Sequence, residues 1–226
     1  MFGLDDQIAT LGTGEVFALV ALVATLLGLR HATDPDHLAA VTTLVASQDP
    51  DPRRAGRLGF TWGLGHATSL FVFGVPIVLF HSYLPATLQT AAETAVGVVI
   101  GALAVRLLVL WRRGRLGPHL HGEPPTRSPL QAYGIGLVHG MGGTAGVGVL
   151  LLAAIPDHLE ALVALGLFAF FTAVSMAMAS TTFGFALSRG PVLRSYLTVA
   201  PAMGVLSLVF GIWYSLGALH AVPYVF

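Results

Sequence analysis

The sequence predicts an all-α integral membrane protein: six transmembrane helices arranged as two inverted three-helix repeats, with the first helix broken near Pro35. Three observations carry this expectation. Apolar residues fill 55% of the 226 positions and charged residues 10%, against about 25% charged in a soluble domain. With a mean hydropathy of +0.79, the chain lacks the polar side chains needed to coat a water-facing surface. Nine of eleven arginines fall in alternate loops, and short motifs recur at a shared offset. Runs this uniformly apolar do not fit strands of an outer-membrane barrel, which alternate over ~10 residues.

Taken in order, the spans are 15–46, 58–80, 91–111, 130–155, 160–187 and 196–219. Six spans of ~20 residues would use about 120 positions, which the apolar content can supply. Met1 to Gly14 holds Asp5 and Asp6 and no basic residue, so it does not read as a cleaved signal peptide. The first span is interrupted by Pro35, whose ring removes a helix hydrogen bond and clashes with the preceding turn. The second follows Arg53, Arg54 and Arg57 and contains Gly63 and Gly65, which permit close helix approach. The third ends at Arg112 and Arg113, with Arg106 far enough inside to snorkel back to the surface. The fourth holds a glycine-rich stretch from Gly136 to Thr144, the fifth follows Pro156, and the sixth follows Arg189 and Arg194. The expected organisation is one membrane domain, 1–226, with a first repeat at 15–111, a cytoplasmic linker at 112–129 and a second repeat at 130–219.

Orientation follows from the arginines. The loops after the first, third and fifth spans carry nine of them, whereas 81–90 and 156–159 carry none. Short arginine-rich loops stay cytoplasmic, which puts both termini of a multi-pass chain outside a bacterial inner membrane. Gly28-Leu29-x-His31 recurs 108 residues later as Gly136-Leu137-x-His139. Ala95-x-Gly97-Val98 recurs 107 residues later as Ala202-x-Gly204-Val205. Three helices per repeat is an odd number, so the second copy runs inverted, an arrangement typical of transporters with a mid-membrane site. Zero net charge leaves no basic surface for nucleic acid. The absence of lysine removes a phosphate-binding Gly-x4-Gly-Lys loop. The absence of cysteine removes disulfides, thiol relays and thiolate metal sites.

Chemistry concentrates at Arg30-His31-Ala32-Thr33-Asp34-Pro35-Asp36-His37. Two carboxylates and two imidazoles inside an apolar span are costly to bury without compensation. At about 100° per residue His31, Asp34 and His37 share one broad helical face, and Asp36 joins them only if the helix unwinds. Asp34 reads equally as a ligand or as a partner of Arg30 or a cap of the following helix. His66, in Gly63-Leu64-Gly65-His66, and His139, on the glycine-rich fourth span, could complete the set. The candidate metal residues are therefore His31, Asp34, Asp36, His37, His66 and His139. Imidazole and carboxylate donors suit Ni²⁺, Co²⁺, Zn²⁺ or Mn²⁺, and without thiolates and with only five methionines Cu⁺ is disfavoured. His81, His158 and His220 read as interface residues, His119 and His121 as solvated loop residues, and Met176 and Met178 as packing.

At these residues the sequence resembles the nickel/cobalt transporter family and the related hydrogenase- and urease-accessory nickel permeases. The family's His-x4-Asp-His hallmark reads here as Arg30 to His37, with Pro35 replacing an alanine. A second motif, Leu-Gly-His-Ser, matches Leu64-Gly65-His66-Ala67 with alanine for serine. The resemblance covers about 26–72 and implies that His31, Asp36 and His37 recognise metal, with His66 a partner. In the second half Gly136 to Thr144 is closer to the shorter accessory-type permeases. Where many relatives carry carboxylates on the fifth helix this chain has Met178 to Phe183. The expected function is a secondary permease for Ni²⁺, or next Co²⁺, with no prosthetic group. Its expected partners are the divalent ion and the lipid bilayer, with a homo-oligomer or accessory-subunit role left open. The rival expectation is an intramembrane His/Asp zinc hydrolase, in which a zinc-bound water is the nucleophile.

Overall fold

A computed structural model describes residues 13–46, 51–80, 85–114, 116, 128–142 and 155–223. The described residues form seven helices and no strand: α1 (Thr13–His31), α2 (Pro35–Ala46), α3 (Pro52–Phe80), α4 (Ala86–Arg112), α5 (Pro129–His139), α6 (His158–Ser188) and α7 (Gly190–Ala218). Four of them, α3, α4, α6 and α7, are long and apolar enough to cross a membrane. A fifth span results if α1 and α2, which meet at a 47° bend, are counted as one broken crossing. The bend falls at the expected break, with Pro35 opening α2, where its fixed φ favours the first helical position.

Four boundaries differ from expectation, one of them the start of α4 at Ala86 in place of 91. α3 begins at Pro52, so Arg53, Arg54 and Arg57 ride on its first two turns. The Asp51 carboxylate accepts from the Arg53 backbone N–H at 3.0 Å and anchors that end, while the arginine stems can lie along the helix with their heads in water. α7 begins at Gly190, with Arg189 the single residue between it and α6. α5 stops at His139, with Gly140 as its C-cap, instead of continuing through the expected span 130–155. The glycines that follow favour a stop, because each gives up more backbone freedom in a helix than any other residue. Residues 143–154, including Gly143 and Thr144, lie outside the described residues, as do His81, His119 and His121.

Glycine sets how closely the helices approach. α3 meets α6 at Gly63, where a methyl group would stand 2.7 Å from the Ala173 Cα, and at Gly59 against Ser180 and Met176. α5 lies on α3 through Gly136, which abuts the Trp62 carbonyl and the His66 amide, and Gly140, which abuts His66. Such seams supply the van der Waals contact that lipid cannot. Leu19, Val98, Phe170 and Leu206 point outward, and the interior is filled by clusters such as Leu44, Leu58, Trp62, Leu103 and Met176.

The contacts recur in pairs related by nearly the same offset as the sequence motifs. Gly97 of α4 closes on Ser215 of α7, and Gly204 of α7 closes on Leu108 of α4. Ser69 of α3 donates to the Leu137 carbonyl of α5 at 2.6 Å, and Ser175 of α6 donates to the Gly28 carbonyl of α1 at 3.0 Å. Both helices that carry the repeated Gly-Leu-x-His stretch end on its histidine, α1 at His31 and α5 at His139.

Candidate metal centre

The break between α1 and α2 is held open by its own polar groups. The Thr33 hydroxyl donates to the Arg30 carbonyl at 2.6 Å. The Thr33 and Asp34 amides turn back to Arg30 and His31 at 2.9 and 3.1 Å, and Leu38 donates to the Asp34 carbonyl at 2.9 Å. The turn redirects the next residues, so that Asp36, which a straight helix would aim elsewhere, faces inward at 3% exposure. His31, Asp34, His37, His66 and His139 are buried beside it.

Asp34 sits behind the imidazoles. One carboxylate oxygen lies 3.3 Å from the Arg30 guanidinium, and the other lies 3.2 Å from His31 Nδ1. A ring that donates from Nδ1 to a carboxylate presents Nε2 as a lone pair, the arrangement that orients metal-binding histidines. The His31 Nε2 lies 3.0 Å from His66 Nε2. His37 is oriented in the same way, its Nδ1 donating to Asp36 Oδ1 at 3.0 Å, which leaves its buried Nε2 without a partner. His139 Nε2 approaches Asp36 Oδ2 to 3.3 Å, yet neither atom has an aligned hydrogen bond.

These donors come from four helices and form two groups: His31, His37 and His66, and Asp36, His37 and His139, each with donor atoms within 4.8 Å of one another. Two nitrogens about 2.1 Å from one ion and at right angles to each other lie ~3 Å apart, close to the spacing of the His31 and His66 nitrogens. Buried polar atoms nearly always find partners, and here Asp36 Oδ2, His37 Nε2 and both His139 nitrogens lack one within a single cluster. The donor chemistry is imidazole and carboxylate, which suits late divalent first-row metals. Asp34, kept open between two roles by the sequence, lies outside both groups.

Sequence reasoning passed over Trp62. It is fully buried, and its ring centroid lies 5.7 Å from that of His37 and 5.6 Å from that of His139. It stands one helical turn before His66, so the signal was an aromatic residue on the face of a chemically interesting neighbour. On α6, Phe168 presents its edge to His31 at 5.5 Å. Glu93 of α4 also went unremarked; it is buried and accepts from the Gln89 amide at 2.9 Å.

Residues 17–114 match the sequence model of the high-affinity nickel-transport protein family. The chain is 28% identical over 200 residues to the urease accessory protein UreH of Bacillus sp. strain TB-90, covering 84% of this chain and 87% of that protein. It is 39% identical over 89 residues to the high-affinity nickel transport protein of Cupriavidus necator, covering 39% of this chain and 25% of the relative. It is 29% identical over 121 residues to the cobalt transport protein NhlF of Rhodococcus rhodochrous, covering 47% and 34%. The chain thus spans most of UreH but about a third or less of the two transporters. No solved structure matches it significantly. The resemblance to the nickel/cobalt transporters is borne out, and the hydrolase alternative finds no support among these relatives.

Proposed function

We propose that this chain is a secondary permease that carries a divalent transition-metal ion, Ni²⁺ first and Co²⁺ next, across a bacterial inner membrane through the His/Asp cluster. One observation carries the reading: donors from α1, α2, α3 and α5 meet in the buried interior, at two helix ends, with Asp36 Oδ2, His37 Nε2 and His139 Nε2 left without a hydrogen-bond partner. Such groups are expensive inside a bilayer and mark ion pathways. The match to the nickel-transport family over 17–114 and the names of the relatives point to the same cargo.

Two inverted repeats, 15–111 and 130–219 joined by 112–129, are the architecture we assign. Its support is the exchange of contacts between α4 and α7 and the matched serine bonds onto α5 and α1. The arginine-bearing ends of α3 and α6 adjoin, since Gly184 abuts Ala55 and Pro52, which supports a cytoplasmic face there and both termini outside. Inward movement of a dication gains about 4.6 kcal/mol per 100 mV of inside-negative potential, enough to drive uptake without a coupled ion. The test is zero-trans Ni²⁺ uptake into liposomes holding the purified protein. Accumulation that grows with an imposed inside-negative potential is expected; no flux at any potential refutes the permease.

A further inference from the structure

We infer that the cluster is a relay of two ion positions that share His37 and are filled one at a time. The inference rests on the permease reading above and concerns how the cargo is held. The five donors form two triads that overlap in His37, and no single set of five meets the same spacing among the described residues. The first position is made by His31 and His66, whose Nε2 atoms lie 3.0 Å apart, with His37. The second is made by Asp36 and His139, whose facing atoms lie 3.3 Å apart without an aligned hydrogen bond, again with His37.

The two positions stand symmetrically about the shared ring. The centroid of His37 lies 4.3 Å from that of His31 and 4.5 Å from that of His139. His31 and His139 are equivalent members of the repeated Gly-Leu-x-His stretch, and each closes its helix. Each half of the chain therefore supplies one terminal histidine to one position. His66 and His139, whose rings lie 6.1 Å apart by centroid, fall in different triads. Two dications a few ångströms apart, sharing one ring, would repel strongly in so dry a site, so occupancy alternates. The two positions also differ in charge: three imidazoles in one, two imidazoles and a carboxylate in the other. Transfer exchanges two nitrogens for one nitrogen and one carboxylate oxygen while His37 keeps hold, so the ion is never bare.

The test uses the purified full chain with Ni²⁺ and Co²⁺, comparing wild type with His31→Gln, His139→Gln, the double variant and His37→Gln. The relay predicts one Ni²⁺ bound by each of His31→Gln and His139→Gln, within about tenfold of wild-type affinity, while liposome flux falls at least about a hundredfold in both. The double variant and His37→Gln lose binding. The visible bands of bound Co²⁺ differ between the two single variants, and the wild-type spectrum is their weighted sum. Loss of binding in either single variant, or full flux in one, overturns the relay and leaves a single site; simultaneous binding of two ions overturns the alternation. The wild type supplies a check that needs no variant to fold: two sets of Co²⁺ bands whose ratio changes with temperature are expected, and one invariant set refutes the relay. A wild type that binds no metal at all removes the permease reading itself.

Discussion

The α3–α5 seam gives the sharpest structural prediction. Replacing Gly136 by alanine puts a methyl carbon 2.9 Å from the His66 amide nitrogen and closer still to the Trp62 carbonyl. Both are backbone atoms of α3, so no side chain can swing aside. Ordinary contact needs 3.4 Å or more, and α5 must therefore retreat by roughly 0.5 Å from the amide and by more than ~1 Å from the carbonyl, at an overpacking cost of ~1–3 kcal/mol. His139 lies three residues on, in the same rigid turn, and moves with it. Binding constellations tolerate ~0.5 Å of displacement, so Gly136→Ala should weaken Ni²⁺ binding by about tenfold, the low end of the range for disturbed ligand support, because the His31, His37 and His66 position stays intact. Gly134→Ala is the control: on the same helix, it meets nothing within 4 Å and should bind and transport as wild type. Calorimetric Ni²⁺ titration of the two variants, with thermal unfolding of each, decides the matter. Equal affinities in Gly134→Ala and Gly136→Ala would show that the seam does not position the histidine.

Three further outcomes follow. Asp34→Asn removes the carboxylate that faces both Arg30 and His31; Ni²⁺ affinity should fall about tenfold without loss of stoichiometry, and complete loss of binding would make Asp34 a ligand instead. Acid should release the ion, since a protonated imidazole cannot ligate: Ni²⁺ affinity falls as pH drops from 7 to 5, and a pH-independent affinity would remove the histidines from the site. Pro35→Ala should keep both binding and flux within about twofold, because the Thr33 hydroxyl and the amides of Thr33 and Asp34 hold the turn without the proline ring; a collapse of flux would make Pro35 the sole cause of the break.

How far the sequence could be read depended on the range of the physics involved. The break near Pro35 was legible because proline acts on its own turn. The inward rotation of Asp36 was legible because burying a carboxylate demands a reason. The approach of His66 to His31 was foreseeable as a pairing of unusual groups, but the 3.0 Å separation depends on how α1, α3 and α6 pack, which no local pattern contains. The start of α3 was misplaced by six residues because arginines in a first turn were read as loop, although their long stems let a helix begin in water. The stop of α5 at His139 is written in its glycines, yet in so apolar a run hydropathy outweighed them. Trp62 was overlooked for a different reason. An aromatic residue in a membrane helix is ordinary, and only the neighbouring rings of His37 and His139 single it out.

The charge count of the site fits a carrier rather than a trap. The Asp34 charge is met by Arg30, so a dication arriving in the cluster faces Asp36 as the carboxylate set among its imidazoles, His37 and His139. One carboxylate against two positive charges leaves the bound state short of neutral, which limits how tightly the ion is held. A pathway works only where binding is favourable enough to admit the ion and weak enough to let it go. On this reading the stretch from Met178 to Phe183 on α6, which offers hydroxyls at Ser180, Thr181 and Thr182 and no carboxylate, keeps a second full charge away from the ion. Imidazoles then supply the selectivity for late first-row metals, while the single carboxylate supplies attraction without closing the site against release.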